Sequence, residues 1–411
     1  MKKRTVKIAV LEWICGGGLL DIPAAQVAVS LRAEGLGMLN MLVSGLAAEF
    51  EVFVPFDGRL VSAVDLDPRV NRIDILDLSY ARQRSQLDVL HHWAAISQKC
   101  DVAWVIAPEM GTALPRSIEY LSGGGYKLIN CRGEFLCNGS DKRLTAERLV
   151  AAGIPHPPTR ALERVDEEWA SSTAAALRFA SAATHSAEPL WIVKPAAGAG
   201  GEGQRLVDQE QLWQLVLADK VDLSSPSQTT PLPRQIVQPW LLGQPASCMA
   251  IVDALGKRYW LPLVSQDFAI RESEHTLYEG VGSASRSVES PPEYIGCTYP
   301  FTAACYEPPG EAPLNAPHEL LEATMDALGP GAYGPVGIDL LYHASTQTWT
   351  VIEVNARCTS SLVGLAQAYR GMLGRDMFNL LFQAGDGQFA DFASRIDPFQ
   401  FRIPRDKGSF P

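Results

Sequence analysis

The sequence predicts an α/β domain followed by a larger α+β region, and three observations carry that prediction. Short β-rich runs alternate with segments of helical apolar spacing over the first 135 residues, the pattern of a parallel sheet with crossover helices. From Ser140 onward the texture changes, and strand-like runs follow one another across glycine-rich or polar turns. Near the end, two apolar runs between Val336 and Arg357 flank a short polar turn and carry oxygen-bearing side chains in their middle.

In the first region, Val6–Leu11, Glu51–Phe56, Val102–Ala107 and Lys127–Cys131 read as strands. Pro23–Glu34, Met38–Phe50, Gln86–Gln98 and Ser117–Leu121 have helical spacing. Glu12 ends the first strand, where open α/β sheets bind ligands, so it is a candidate to hold a cationic amine; a surface acid is the alternative. Pro108-Glu109 carries the same ambiguity. The glycines Gly16, Gly17 and Gly18 either cradle a ligand with their backbone N–H groups or make a tight turn. Gly17 is kept as a candidate substrate contact.

Residues 1–135 form one domain on this reading, followed by a central lobe over 136–242, a further lobe over 243–385 and a loosely packed tail over 386–411. Ser140 or Asp141 can cap a helix over Arg143–Ala152, which Gly153 and the following prolines close. Leu190–Pro195 reads as a strand. Gly198, Gly200, Gly201 and Gly203 then match Gly-x-Gly-x-x-Gly, but Gln204–Val207 looks like a second strand where a dinucleotide fingerprint needs a helix. Strand, glycine loop and strand make a flap that can lie over phosphates, with Lys194 and Arg205 beside it to meet negative charge. The helix after it begins near Asp208, with Gln211 completing an approximate capping box. Gln235–Gly243 is a strand leaving into an apolar connection, where Trp240 and Leu241 offer flat cover to an adenine ring; a plain hinge is the alternative. Trp260–Val264 is another strand. Gln266–Arg286, containing Tyr278 and Arg286, has the makeup of a loop that moves over a site, and 287–316 reads as an irregular excursion. Helices are expected over Pro317–Leu328, Ser360–Tyr369 and Asp376–Phe382.

Glu353 and Asn355 are two apart on one strand and point to one face of the sheet. Asp339 interrupts the partner strand. A carboxylate withdrawn from water without a partner is costly, and a hard cation such as Mg²⁺, which takes oxygen ligands alongside nucleotide phosphates, supplies a reason for all three. Solvent-facing carboxylates beside Arg357 are the alternative. Asp339 faces Glu353 only if the loop holds an odd number of residues or a bulge intervenes; that register is expected.

Composition narrows the partners. The chain has 411 residues, 47% of them hydrophobic, and a net charge of −11, which argues against a general nucleic-acid or anionic-membrane binder. No stretch approaches the roughly 18 apolar residues of a membrane span, and the apolar run after the basic start carries Lys7 and Glu12, so a cytoplasmic protein is expected. The 8 cysteines show no Cys-x-x-Cys pair, so neither a zinc site nor a disulfide framework is indicated.

Taken in order, Ser-Asp-Lys142, Ile-Val-Lys194-Pro, the glycine flap, Val-Gln238-Pro-Trp-Leu, Gly-Ile-Asp339 and Ile-Glu353-Val-Asn355-Ala-Arg357 resemble the ATP-grasp superfamily over roughly residues 136–380. The resemblance implies a Rossmann-like pre-ATP-grasp domain followed by a two-lobed ATP-grasp fold. It also implies an ADP-forming ligase that joins a small-molecule carboxylate to an amine through an acyl-phosphate, with ATP and Mg²⁺ or Mn²⁺ as cofactors. By position, Lys142 and Lys194 would bind phosphates under the flap, Gln238 and the backbone near Leu241 would receive adenine, and Asp339, Glu353 and Asn355 would carry the metal. Arg286 or Arg357 would clamp the acyl donor or the transferring phosphate; each is otherwise a structural ion pair. Two departures stand out: many members have Glu where this chain has Gln238, and a ribose-binding Glu where Gln244-Pro245-Ala246 stand. Within the superfamily, Glu-Trp-Ile-Cys-Gly-Gly-Gly, the spacing from Cys131 to Lys142, Tyr278-Glu-Gly280 and the Glu-Val-Asn-Ala-Arg ending look most like the tyramine–glutamate ligase group of methanofuran or methylofuran biosynthesis. Other amino-acid ligases, a regulatory nucleotide binder and a Rossmann oxidoreductase are the competing readings, and a homodimer is the assembly considered.

Overall fold

A computed structural model of the chain describes residues 5–77, 86–180, 189–198, 200–224, 234–269, 293–301, 317–383 and 395–403. In the N-terminal region, strands β1 (Lys7–Glu12), β2 (Glu51–Phe56), β3 (Asn71–Asp74) and β4 (Val102–Ile106) form a parallel sheet in the order β3-β2-β1-β4. Helices α1 (Val29–Leu46), α2 (Gln86–Ser97) and α3 (Ala113–Gly123) belong to this layer. The two helices expected before residue 50 are one, running through Gly35 and Gly37. A Cβ on Gly35 would meet the Glu12 carboxylate at 2.9 Å, so the glycine that weakens the helix signal is what lets α1 approach β1. Lys127–Cys131, expected as a strand, makes only one parallel bridge, Ala103 to Leu128. The short and polar β3 went unpredicted.

Next come α4 (Gly133–Ser140), α5 (Lys142–Ala151), β5 (Arg160–Ala161), α6 (Glu167–Ala180), β6 (Trp191–Pro195), β7 (Arg205–Val207), α7 (Gln209–Ser224) and β8 (Gln235–Pro239). The strands form a small antiparallel sheet ordered β5-β8-β6-β7. It has its own core, Trp191, Val193, Val237, Leu212 and Val216, and so behaves as a separate lobe. Asp208 and Gln211 make the reciprocal capping bonds expected of them, 3.0 and 2.8 Å.

The remaining elements are β9 (Gln244–Val252), β10 (Arg258–Trp260), β11 (Val264–Ala269), β12 (Glu293–Tyr299), α8 (His318–Ala327), β13 (Gly334–His343), β14 (Thr348–Asn355), α9 (Ser361–Ala368), α10 (Leu373–Gln383) and β15 (Phe399–Arg402). They build an antiparallel sheet, β14-β13-β9-β11-β12-β15, with β10 on β9. Two expectations fail here. Part of the supposed excursion is strand β12, and the supposedly loose tail supplies the edge strand β15, because Phe401 and Ile403 are buried and Arg402 pairs with Asp267. The large sheet shares its apolar core with the N-terminal layer: Leu11, Trp93 and Val105 cluster with Ala250, Val336 and Ile338. Among the described residues no helix is long and apolar enough to cross a membrane.

Candidate active site between the small lobe and the hairpin

The hairpin β13–β14 places Asp339 opposite Glu353, the expected register. Its loop closes between His343 and Thr348, so the register comes from a bulge after Asp339. Leu340 pairs with Val351, which leaves Ile352 as the extra residue and re-aims the strand next to the carboxylates. Asn355 Nδ2 donates to Asp339 Oδ2 at 3.2 Å, and Gln266 Nε2 from β11, across β9 in the same sheet, donates to Asp339 Oδ1 at 3.0 Å. Burial, then the neighbouring Glu353 charge, pushes the Asp339 carboxyl up to about 6.

Two lysines meet this face. Asp141 caps α5 by accepting from the N–H groups of Arg143 and Leu144, 2.8 and 3.2 Å, and so fixes the start of the turn that carries Lys142. Lys142 Nζ lies 3.1 Å from Glu353 Oε1 and donates to Gly198 O of the flap at 2.6 Å. Their side chains are only 11% and 16% exposed. Burial works to raise the Glu353 carboxyl, but Lys142 and Lys194 outweigh it and hold it below its ordinary value. Lys194, on β6, is buried. Its ammonium is pushed down to about 8 by desolvation, against the attraction of Glu353 and with further repulsion from Lys142.

The flap is an antiparallel hairpin, Ile192 opposite Leu206, so no helix opens on its glycines and a dinucleotide fingerprint is excluded. Gly200, Gly201 and Gly203 have φ of 64°, 75° and 72°, the left-handed region in which a side chain is strained. Gln238, opposite Ile192 on β8, is buried, and with Lys142, His156, Pro157, Ile352 and Glu353 it lines a cavity between the small sheet and the hairpin. Trp240 N donates to Leu190 O at 2.8 Å where the chain leaves β8, and Trp240 and Leu241 are both partly exposed there.

The other sequence candidates lie elsewhere. Arg357 is buried and forks onto Glu109 at the end of β4, with bonds of 2.9 to 3.1 Å, while its Nη1 donates to Cys358 O at 2.9 Å. It is a buried strut to the N-terminal layer, the structural ion-pair alternative given for it above. Glu12 is 1% exposed, and its Oε2 accepts from Cys15 N at 2.6 Å. Burial pushes its carboxyl up to about 7, against the bonds from Cys15 and Ile14 and the charge of Arg357. Gly17, φ 99°, packs so tightly on Ile75 that a Cβ would lie 2.2 Å from it, which is the tight-turn alternative. Tyr278 and Arg286 lie outside the described residues. His156 and Thr159, whose hydroxyl accepts from Gln238 Nε2 at 2.8 Å, were missed because nothing in their own neighbourhood of sequence marks them; Gln266, expected to open a mobile loop, lies instead on strand β11.

The donor set suits a hard cation. Two carboxylates face each other on adjacent strands, one of them raised by burial and then by the other's charge, and an amide oxygen stands beside them. Opposite sit two lysines and a glycine hairpin, suited to phosphates.

Comparison with known proteins gives the same picture. The profile of the ATP-grasp domain family matches residues 139–361, and that of the pre ATP-grasp 3 domain matches 62–134. No curated protein matches the sequence. An ATP-grasp superfamily protein from Archaeoglobus fulgidus superposes with a TM-score of 0.52 at 16% identity, covering 93% of this chain and 90% of the other. The biotin carboxylase domain of Hydrogenobacter thermophilus 2-oxoglutarate carboxylase, solved with MgADP and bicarbonate, gives 0.54 at 11% identity, covering 92% and 70%. D-alanine–D-alanine ligase from Bacillus anthracis gives 0.50 at 13% identity, covering 92% and 97%. At these identities the superpositions speak for the fold.

Proposed function

The chain belongs to the ATP-grasp family, and on that premise we propose that it is an ADP-forming carboxylate–amine ligase that activates its acid as an acyl-phosphate. The observation that carries this reading is the bridging position of Lys142, bonded at once to Glu353 of the hairpin and to Gly198 of the flap. A carboxylate is a poor electrophile until phosphorylated, and phosphoryl transfer asks for positioning and charge neutralisation more than for a protein nucleophile. Lys142 and Lys194 draw the phosphates between the lobes, and the flap glycines lend backbone N–H groups. Asp339, Glu353 and Asn355 hold the divalent metal, which supplies charge neutralisation when bound. Gln238 and the chain at Trp240–Leu241 receive the base. The solved relatives include a MgADP complex and an amino-acid ligase, in keeping with such a nucleotide and such an acid.

For substrates we propose glutamate as acyl donor and an aromatic amine such as tyramine as acceptor, on the strength of the opening Glu12-Trp13-Ile14-Cys15 run and the Glu-Val-Asn-Ala-Arg ending. Glu12 is the proposed partner of the ammonium group, and Tyr278 and Arg286, which lie outside the described residues, are kept from the sequence as the candidate acceptor contact and the candidate clamp. The net charge of −11 fits a cytoplasmic enzyme acting on small molecules, without nucleic acid or membrane, and a homodimer is the proposed assembly. Incubating the protein with Mg·ATP and a matrix of acids and amines, read by ADP release and mass spectrometry, tests all of this. The expected product is the glutamyl amide of tyramine. ADP release with a different pair would retain the ligase and replace its substrates, and no ADP release with any pair would overturn it.

A further inference from the structure

We propose that Gln266 is the positioning residue of the metal-binding carboxylate Asp339, and that the affinity of the hairpin for its divalent cation depends on the reach of this one amide across the sheet. The inference rests on the metal and nucleotide reading given above and adds to it a residue that acts on the metal only through Asp339.

The order of three strands brings the two side chains together. Ser247 of β9 lies opposite Asp339 of β13 on one side and opposite Val264 of β11 on the other. Side chains that face each other across an antiparallel pair share a face of the sheet, and Gln266, two residues beyond Val264, points to that face as well. Neighbouring strands lie about 4.8 Å apart, so a side chain on β11 must pass over β9 to touch one on β13. Ser247 is buried and small, which leaves the way open, and a glutamine is long enough to take it. Its Nε2 ends 3.0 Å from Asp339 Oδ1. The backbone beneath it is held as well. Gln266 pairs with Cys297 of β12, and the next residue, Asp267, turns to the opposite face, where it accepts from Thr298 Oγ1 at 2.9 Å and pairs with Arg402 of β15.

The two amide bonds on Asp339 act together. Asn355 approaches Oδ2 from β14, and Gln266 approaches Oδ1 from the other side of β13. One donor on each oxygen fixes the plane of the carboxylate, and each oxygen keeps a lone pair for a cation. Both donors are neutral amides, so they orient the group without cancelling its charge. Glu353, by contrast, shares its charge with Lys142. Asp339 is thus the hairpin carboxylate with more charge to offer a cation, and its aim decides whether that charge is delivered. Outer partners that orient metal ligands in this way are worth about 10- to 100-fold in metal affinity.

Titration of the full chain with Mn²⁺ in the presence of ADP, with free Mn²⁺ read by electron paramagnetic resonance, tests this. The proteins compared are wild type, Gln266→Met, Gln266→Asn, Asp339→Asn and the double variant Gln266→Met with Asp339→Asn, and ADP binding without metal is the control for a folded site. Gln266→Met keeps the length and removes the donor, while Gln266→Asn keeps an amide that is one methylene short of Asp339. Each is expected to weaken Mn²⁺ binding about tenfold or more and to leave metal-free ADP binding unchanged. In the Asp339→Asn background Gln266→Met is expected to have no further effect, because Gln266 acts through that carboxylate. Undiminished Mn²⁺ affinity in both Gln266 variants, or an equal loss from Gln266→Met in the wild-type and Asp339→Asn backgrounds, would overturn this inference and leave the ligase reading standing. Loss of metal-free ADP binding in both Gln266 variants would make Gln266 a packing residue and overturn it too. ADP binding indifferent to Mn²⁺ in wild type would overturn both readings.

Discussion

Glu12 carries a burial cost that its surroundings only partly return. Enclosed beneath Gly35, it gains bonds from Cys15 and Ile14 and some attraction from Arg357, yet its carboxyl is still pushed up to about 7. A carboxyl whose folded value lies above its ordinary 4.5 favours the fold most below that lower value, and its contribution is lost as pH rises through about 7. The window from 4.5 to about 7 corresponds to about 3 kcal/mol. Glu12→Gln is therefore expected to flatten the fall in stability across this window and to exceed wild type in chemical denaturation at pH 8; equal pH profiles would show that the Glu12 charge is compensated. Burial is also the first cause for Lys194 and Asp339, but their next causes are charges of the same face, chiefly Glu353. Each sits buried among charges of the proposed nucleotide site, where a bound metal and phosphates would change the local field. Which of these groups matter was only half legible in the sequence. Asp339 and Glu353 announce themselves as acids in apolar strands. Thr159 and Gln266 look like ordinary polar residues, since their partners Gln238 and Asp339 stand 79 and 73 positions away.

Single elements aim the site. The bulge at Ile352 turns β14 so that Glu353 meets both Asp339 and Lys142; the sequence pointed to this register through either an odd loop or a bulge, and the pairing of His343 with Thr348 decides for the bulge. Capping holds the opposing lysine: Asp141 secures the first turn of α5, and Lys142 N is bonded to Ala196 O at 2.8 Å. Asp141→Ala is expected to cost about 1 kcal/mol of stability, the usual worth of such a cap, and to weaken ATP binding by freeing Lys142. Unfolding in urea and nucleotide titration of one preparation check both, and a variant with wild-type values in each would remove the cap from the account. The flap was legible because strand, glycines and strand are contiguous. Strand β15 was not, because its pairing with β12 joins residues about a hundred apart and its own sequence offers no periodicity long enough to read. The merger of two expected helices into α1 has the same origin, since only the contact with Glu12 explains Gly35.

At the scale of the molecule, a small lobe with its own core faces a large sheet fused to the N-terminal layer. The buried fork from Arg357 to Glu109 ties that layer to the end of the strand that carries Glu353 and Asn355, so the hairpin is held from behind while the small lobe approaches from the front. A buried pair of this kind contributes orientation more than net stability. Everything proposed for this arrangement depends on oxygen donors of the hairpin and cations of the small lobe closing on one triphosphate with its metal. The most direct test is the Mg²⁺ dependence of ATP binding and turnover in wild type and Glu353→Gln, with thermal unfolding as the control for folding. Wild type is expected to bind ATP more tightly as Mg²⁺ is raised, while Glu353→Gln loses that dependence and about a hundredfold or more in turnover, with an unfolding transition close to wild type. ATP binding indifferent to Mg²⁺ in wild type, or a folded Glu353→Gln that turns over normally, would contradict it.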